Sequence, residues 1–119
     1  MSKLEAHLAR YHEFKDAAEA TKSPGLKVEG WFLAAYHLIE ACAAKRHLHI
    51  QKHQRVPAEL RQNPIILGSR SETVAEAFLF LDNRARTRFV YGVGGSDADL
   101  DEAREKFGTI EEACLEVVA

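Results

Sequence analysis

The sequence predicts an all-α fold, an up-and-down bundle of four to five helices in one domain over residues 1–119. Apolar residues recur at intervals of three and four along most of the chain, and the alternation typical of strands is nearly absent. The three prolines, at positions 24, 57 and 64, all fall between helical stretches. A chain of this length buries about two-thirds of the surface that its unfolded form exposes, which is enough for one core.

The first two helices are expected to form a pair. Ser2 is a suitable cap for a helix that runs to about Thr21, and the turn of residues 22–25 ends it. A second helix of some six turns is predicted over residues 27–50. Because this core helix is rich in alanine, a neighbouring helix can approach it closely. We therefore expect a tight antiparallel pair.

Shorter elements follow the core helix. Pro57 fits the first turn of a short helix that reaches Gln62. The apolar residues 65–68 then form a connector that is expected to enter the core. Cys42 and Cys114 lie in apolar helical patterns, so both are predicted to be reduced thiols in the core.

Two capping-box patterns mark the late helices. Ser69 with Glu72 precedes a helix that runs into a group of arginines and ends at the glycines of residues 92–95. Ser96 with Asp99 precedes the closing helix. A further capping pattern inside that helix leaves two possibilities open, one kinked helix or two separate ones.

Composition limits the classes of function. A net charge of -2 and a pI near 6.3 exclude a protein that coats nucleic acid by bulk attraction, although a local patch can still bind it. Acidic residues concentrate in residues 96–119 and basic residues in 45–61, so opposite charges are expected to meet between subunits. No apolar run approaches the roughly 20 residues of a membrane span, and the N-terminus is too polar for a secretory signal. We expect a soluble, cytoplasmic protein without membrane contact.

The stretch LDNRARTRFVYG, residues 81–92, gives the strongest indication of function. An amphipathic helix has no packing reason to concentrate positive charge beside aromatic residues, so an anionic ligand is expected there. At about 3.6 residues per turn, Arg84, Arg88 and Tyr91 share one face, whereas Arg86 points to a second, apolar face. Two apolar faces favour a second burial partner, hence a dimer contact. The alternative is a solvated helix end whose arginines complement the helix dipole.

Three segments together resemble HEPN domains. WFLAAYHLI, residues 31–39, followed by HIQKHQRV, resembles their second helix and the turn after it. RTRFVY, residues 86–91, resembles the arginine-rich motif that precedes the last helix of small prokaryotic members, and residues 96–118 resemble that closing helix. The resemblance implies a homodimeric helical bundle that binds nucleotide or RNA. It also implies a possible minimal nucleotidyltransferase partner in a toxin–antitoxin pair.

The resemblance also implies where chemistry would occur. Ribonuclease members carry an arginine followed, four to six residues later, by a histidine in a cleft at the dimer axis. Here Tyr91 stands where that histidine is expected after Arg86, and tyrosine, which titrates at about pH 10, is a poor base near neutrality. The leading hypothesis is therefore a nucleotide- or RNA-binding protein that has lost catalysis. Its expected ligand-binding residues are Arg84, Arg86, Arg88, Tyr91, His53 and Arg55.

Other readings stay open. Arg46 and His53 also have the ribonuclease spacing, so an active, metal-independent ribonuclease toxin that uses this pair is one alternative. A non-catalytic interaction module, held by the arginines and the acidic closing helix, is another. His49 and His53 are four apart and would share a helical face, but no acidic or cysteine ligand lies near them in sequence, so no metal and no cofactor are expected. His37 is expected to be packed and hydrogen-bonded.

Overall fold

A computed structural model describes residues 2–119, and within this range no strand occurs. The predicted all-α bundle is confirmed. A π-helical segment, Phe80–Ala85, joins the fourth helix to the fifth. The helices are α1 (Lys3–Ala20), α2 (Pro24–Lys45), α3 (Val56–Gln62), α4 (Ser71–Leu79), α5 (Arg86–Phe89) and α6 (Asp97–Val118). Among the helices of residues 2–119, none combines the length and the apolar character that a membrane crossing requires.

The first two helices form the tight antiparallel pair that the sequence predicts. His7, early in α1, lies beside His37, late in α2, whereas Lys27, early in α2, donates to the carbonyl oxygen of Ala18 at 3.0 Å. The two helices approach closely at Gly30, where an added Cβ would lie 2.8 Å from the Cβ of Ala18. A glycine, which the alanine pattern does not single out, therefore permits the close contact at this point.

Helix α2 lies at the centre of the bundle, and most of its residues are buried. It runs parallel to α6, since the ring of Trp31 stacks on Phe107 and the Cys42 thiol donates to the carbonyl oxygen of Cys114 at 3.5 Å. Both thiols are free and buried, as predicted. Ile66, in the connector before α4, also belongs to the core.

The continuous stretch of α4, the π-helical segment and α5 runs antiparallel to α6. Arg70, just before α4, pairs with Glu116 at 3.1 Å near the end of α6, and Arg88 pairs with Asp99 at 2.8 Å near its start. Directions therefore alternate along the chain, as in an up-and-down bundle. At these two pairs, acidic residues of the closing helix meet arginines of the same chain that lie outside the basic segment 45–61.

Helix α2 begins and ends earlier than the sequence pattern indicates. The Ser23 side chain caps it, and Pro24 occupies the first turn, where a missing N–H group costs nothing. The helix ends at Lys45, and His47 adopts a left-handed φ of 60°. Residues 46–52 therefore form a loop instead of two further helical turns.

One of the two capping boxes forms. A short 3₁₀ turn, Gly68–Arg70, precedes α4, and no side chain caps that helix. Glu72 instead pairs with Arg61 at 2.8 Å, so the capping box predicted for Ser69 and Glu72 is wrong. Ser96 and Asp99 exchange both hydrogen bonds of the second box, at 3.1 and 2.9 Å. Helix α6 then passes through Gly108 without a break, so the closing helix is a single piece.

Candidate functional site

The π-helical segment decides how the arginine-rich stretch is oriented. At its end the Arg86 N–H group donates to the carbonyl oxygen of Leu81, and the Tyr91 N–H group donates to that of Arg86 at 3.2 Å. Both bonds span five residues, one more than in an α-helix, and this wider turn rotates the side chains that follow. The predicted common face of Arg84, Arg88 and Tyr91 is therefore wrong for Tyr91, which turns to Arg86.

Arg86 is the cation of a largely buried polar cluster. Its guanidinium group donates to Glu29 Oε2 at 3.1 Å, to Asp82 Oδ1 at 2.9 Å and to the Tyr91 hydroxyl at 3.0 Å. The Phe32 ring lies 4.0 Å from the guanidinium carbon, and the side chain is 13% exposed. Two carboxylates more than offset one guanidinium charge, so Arg86 offers an anionic ligand little attraction.

The face of the helix that carries Arg86 is covered within the same chain. Glu29 and Phe32, which contact the guanidinium group, both belong to α2. The second apolar face predicted from the sequence thus has an intramolecular partner. The homodimer remains a prediction. The helix face that carries Arg86 no longer supports it, because α2 of the same chain covers this face.

Asp82 connects the Arg86 cluster to His53. The His53 Nδ1 atom lies 3.3 Å from Asp82 Oδ2, and its ring meets Phe32 edge-on with centroids 5.1 Å apart. A histidine, a carboxylate and an arginine therefore lie in series, with the histidine supplied from the segment before α3. The sequence analysis did not identify Asp82. Its spacing of four residues from Arg86, which places the two side chains on one side of a helix, could have indicated their contact.

The remaining arginines of the predicted catalytic and binding set lie elsewhere. Arg46 is exposed at the end of α2, and within residues 2–119 no hydrogen bond or ion pair joins it to His53. Arg55 pairs with Glu59 at 3.1 Å. It lines a separate depression of about 420 Å³ together with His49. Arg86, and not Arg46, is the arginine that shares a carboxylate with His53.

His49 and His53 do not share the helical face predicted for them. Both lie beyond Lys45, where α2 ends, and each faces a different carboxylate. His49 Nδ1 is 3.1 Å from Glu40 Oε2, whereas His53 faces Asp82. The prediction fails because the core helix stops before it reaches them.

Arg84 and Arg88 line a surface groove of about 420 Å³. Its lining consists of Asn83, Arg84, Thr87, Arg88, Gly92, Val93 and Gly94, so none of the residues that the structure places in this lining is acidic. Arg84 is exposed, and its guanidinium carbon lies 5.6 Å from the centroid of the Phe80 ring. The Arg88 side chain is 48% exposed while it keeps its pair with Asp99.

An adjoining depression of about 350 Å³ extends this groove. It shares Asn83 and Arg84 with the groove and is also lined by Glu76, Leu79 and Phe80. The combined surface thus offers apolar side chains at one end and two guanidinium groups at the other. We call this combined surface the arginine groove.

Comparison of the chain with protein-family models, with curated proteins and with solved structures finds no match. The resemblance to HEPN domains stays a prediction that depends on the segments quoted above.

Proposed function

We propose that the protein binds a nucleotide or a short single-stranded RNA in the arginine groove. The observation that carries the proposal is the part of the groove around Arg84 and Arg88, whose lining combines these two arginines with neutral hydrogen-bonding groups and no carboxylate, whereas Glu76 lies in the adjoining depression. Guanidinium groups donate bidentate, charge-assisted hydrogen bonds to phosphate oxygens. The phosphate is therefore assigned to these two arginines.

Neighbouring groups suit the remainder of such a ligand. The Thr87 hydroxyl and the Asn83 amide add hydrogen-bond donors to the groove. Leu79 and Phe80, in the adjoining depression, offer an apolar surface for a base.

Arg88 must loosen its pair with Asp99 to engage a phosphate fully. Exposed ion pairs of this kind contribute about 0–1 kcal/mol, because water already solvates both charges. A phosphate that contacts two guanidinium groups gains more than that. The ion pair is therefore a weak competitor for the ligand.

The resemblance to HEPN domains supports the same class of ligand, and with it we propose a homodimer and a minimal nucleotidyltransferase partner. Sedimentation equilibrium tests the dimer. Co-purification with a nucleotidyltransferase encoded beside this chain tests the partner.

Fluorescence polarisation with a labelled oligouridine RNA tests the binding site directly. The Arg84→Ala/Arg88→Ala double variant is expected to bind at least about tenfold more weakly, which corresponds to about 1.4 kcal/mol. The slope of log K against log salt should fall by about 0.7 for each phosphate that the variant no longer neutralises. The control is Arg10→Ala/Arg61→Ala, which removes the same charge from exposed ion pairs with Glu13 and Glu72. Equal losses of affinity in the two double variants would contradict a specific site.

A second candidate function, metal-independent RNA cleavage, is favoured by the contact between His53 and Asp82. A carboxylate that accepts from one imidazole nitrogen orients the ring and stabilises its protonated form. Asp82 holds Arg86 with its other oxygen, so the three groups are fixed together. His53 would act as the general base or acid, and its side chain is 34% exposed, which leaves it accessible to substrate.

Cleavage of a fluorogenic RNA in the presence of EDTA tests this second function. Wild-type activity is expected to fall at least about a hundredfold in His53→Ala and to decrease in Asp82→Asn, since general acid–base catalysis contributes about 10²–10⁴-fold. Arg46→Ala serves as the control, because its side chain lies outside the cluster. Activity that survives in His53→Ala would reject this candidate and leave the binding proposal standing.

A further inference from the structure

A second cluster of chemically active side chains lies outside the arginine groove, where α1, α2 and the loop after α2 meet. Glu40, on α2, is 2% exposed. Its Oε2 atom is 3.1 Å from His49 Nδ1 and 3.7 Å from His7 Nε2. Each of the three residues offers one potential metal-ligand atom, and these three atoms all lie within 4.8 Å of one another.

These distances are close to those around a tetrahedral zinc ion. Ligand atoms about 2.0–2.1 Å from such an ion lie about 3.4 Å apart. The Glu40 oxygen already has spacings near that value to both histidines, so only the two imidazole rings must move slightly closer together. The 3.7 Å gap between His7 and Glu40 is too long for a hydrogen bond, which leaves room for a shared cation.

Glu40 and His7 are each held by a second contact, as metal ligands commonly are. The other oxygen of Glu40, Oε1, accepts from the Ile50 N–H group at 2.7 Å. The other ring nitrogen of His7, Nδ1, lies 3.0 Å from His37 Nδ1. When His7 donates this hydrogen bond to a neutral His37, His7 Nε2 keeps its lone pair for a cation.

The burial of Glu40 favours a cation as well. Its carboxylate lies in the interior beside two imidazole rings, and a divalent ion there would offset the cost of burying a negative charge.

We propose that His7, Glu40 and His49 bind a divalent transition-metal ion of the zinc class, with a fourth position open to water. Two histidines and one glutamate form a donor set that zinc accepts. The His49 side chain is 50% exposed, so the ion can enter from solvent and the fourth position faces water. The site is independent of the arginine groove, and either can exist without the other.

Isothermal titration of tag-free, EDTA-stripped protein with zinc chloride tests the proposal. Wild-type protein is expected to bind one ion, and His49→Ala to bind it at least about tenfold more weakly. Because His49 lies half-exposed on a loop, this variant should keep its fold, which circular dichroism checks. His12→Ala is the matched control, since His12 is an exposed histidine on the same helix as His7.

Two further measurements distinguish a specific metal site from nonspecific binding. Cobalt should give a visible absorption spectrum of low-symmetry, four-coordinate type in wild-type protein, and this spectrum should be absent in His49→Ala. The His37→Phe variant removes the acceptor for His7 and should weaken zinc binding about tenfold, whereas His37→Asn, which keeps an acceptor near the same position, should restore it. No zinc uptake by wild-type protein, or equal uptake by His49→Ala, would overturn the proposal.

Discussion

Arg84 and Arg86 are two positions apart in one arginine-rich stretch, yet their surroundings give them different roles. Arg86 is held by Glu29, Asp82 and Tyr91, whereas Arg84 is exposed in the arginine groove. Composition treats the two alike, and spacing places them on different helix faces without indicating which carboxylates each one meets. The distinction depends on which carboxylates the fold brings within hydrogen-bonding distance.

Replacing Arg86 should therefore affect stability, and replacing Arg84 should not. Arg86→Ala leaves Glu29 without this partner and Asp82 with His53 as its remaining contact, both partly buried, and the free energy of unfolding should fall by about 2–3 kcal/mol. Arg84→Ala, an exposed change, should stay within about 0.5 kcal/mol of wild type. Urea denaturation at about pH 7 measures both. Similar free energies for the two variants would mean that the Arg86 cluster contributes nothing to the fold.

His37 predicts a pH dependence of stability. Burial first, and then the charges of His7 and Arg10, lower its pKa from 6.5 to about 4. Between these two values the unfolded chain binds more protons than the folded one, so the free energy of unfolding should fall as the pH drops from about 6.5 towards 4. Because the ring is partly exposed, we expect a loss of about 1 kcal/mol.

Urea midpoints of metal-free protein at about pH 7 and pH 5 measure this effect. His37→Phe keeps a ring in place but cannot be protonated, so its stability should change less over the same interval. The His7 imidazole, whose pKa burial lowers, acts in the same direction as His37, and the Glu40 carboxyl, whose pKa burial raises, acts in the opposite direction. Both groups are present in the two proteins, so the difference between them reports the loss of His37 together with its contact to His7. A wild-type pH dependence that matches that of His37→Phe would show that this ring is not responsible.

At the scale of elements, two irregularities explain where the sequence patterns mislead. The π-helical segment Phe80–Ala85 changes the register of the arginines, because its hydrogen bonds span five residues. Helix α2 stops at Lys45, before the histidines that follow it. Hydrophobic spacing assumes an unbroken α-helix in both places. The faces predicted for Tyr91 and for the pair His49 and His53 are consequently wrong.

Substitution by alanine should have opposite effects on stability at two helical glycines. Gly30 lies in the contact between α1 and α2, whereas Gly108 lies in α6. In Gly30→Ala the new methyl group would meet Ala18 Cβ at 2.8 Å and the Phe14 carbonyl oxygen at 3.0 Å, so unfolding free energy should fall by about 1–3 kcal/mol. Gly108→Ala meets no atom within 4 Å and should gain about 0.5–1 kcal/mol from helix propensity. Thermal and urea denaturation of both variants measure these changes. A stabilised Gly30→Ala would contradict the close approach of the helices.

At the scale of the whole molecule, the two buried thiols report global unfolding. Cys42 and Cys114 lie at the contact between α2 and α6, deep in the one core that joins the helices. The hydrogen bond with Cys42, and after it burial, raises the pKa of Cys114, so its reactive thiolate form is rare. Neither thiol should react with a disulfide reagent until the helices separate.

Labelling rates in increasing urea test this expectation. Both thiols should react at rates that follow global unfolding, and they should become fully reactive in denaturant. Cys42→Ala and Cys114→Ala identify which thiol reacts. Fast labelling of either thiol in native buffer would show that the contact between α2 and α6 opens locally.

The sequence by itself determined the features that depend on local spacing. The all-α class, the central position of the second helix, the caps at Ser2 and Ser96 and the buried thiols all follow from periodicity and short-range hydrogen bonds. Hydrophobic periodicity and capping hydrogen bonds involve residues that are close in sequence or share one helical face. The order of residues along the chain is therefore enough to predict them.

Only the tertiary structure decided which groups share a site. Arg86 meets Glu29 across two helices, His53 meets Asp82, and the cluster of His7, Glu40 and His49 draws on three separate segments. Such pairs depend on helix packing and on a one-residue change of register, neither of which leaves a pattern in nearby sequence. The proposals for the arginine groove and for the histidine cluster therefore depend on contacts between distant parts of the chain.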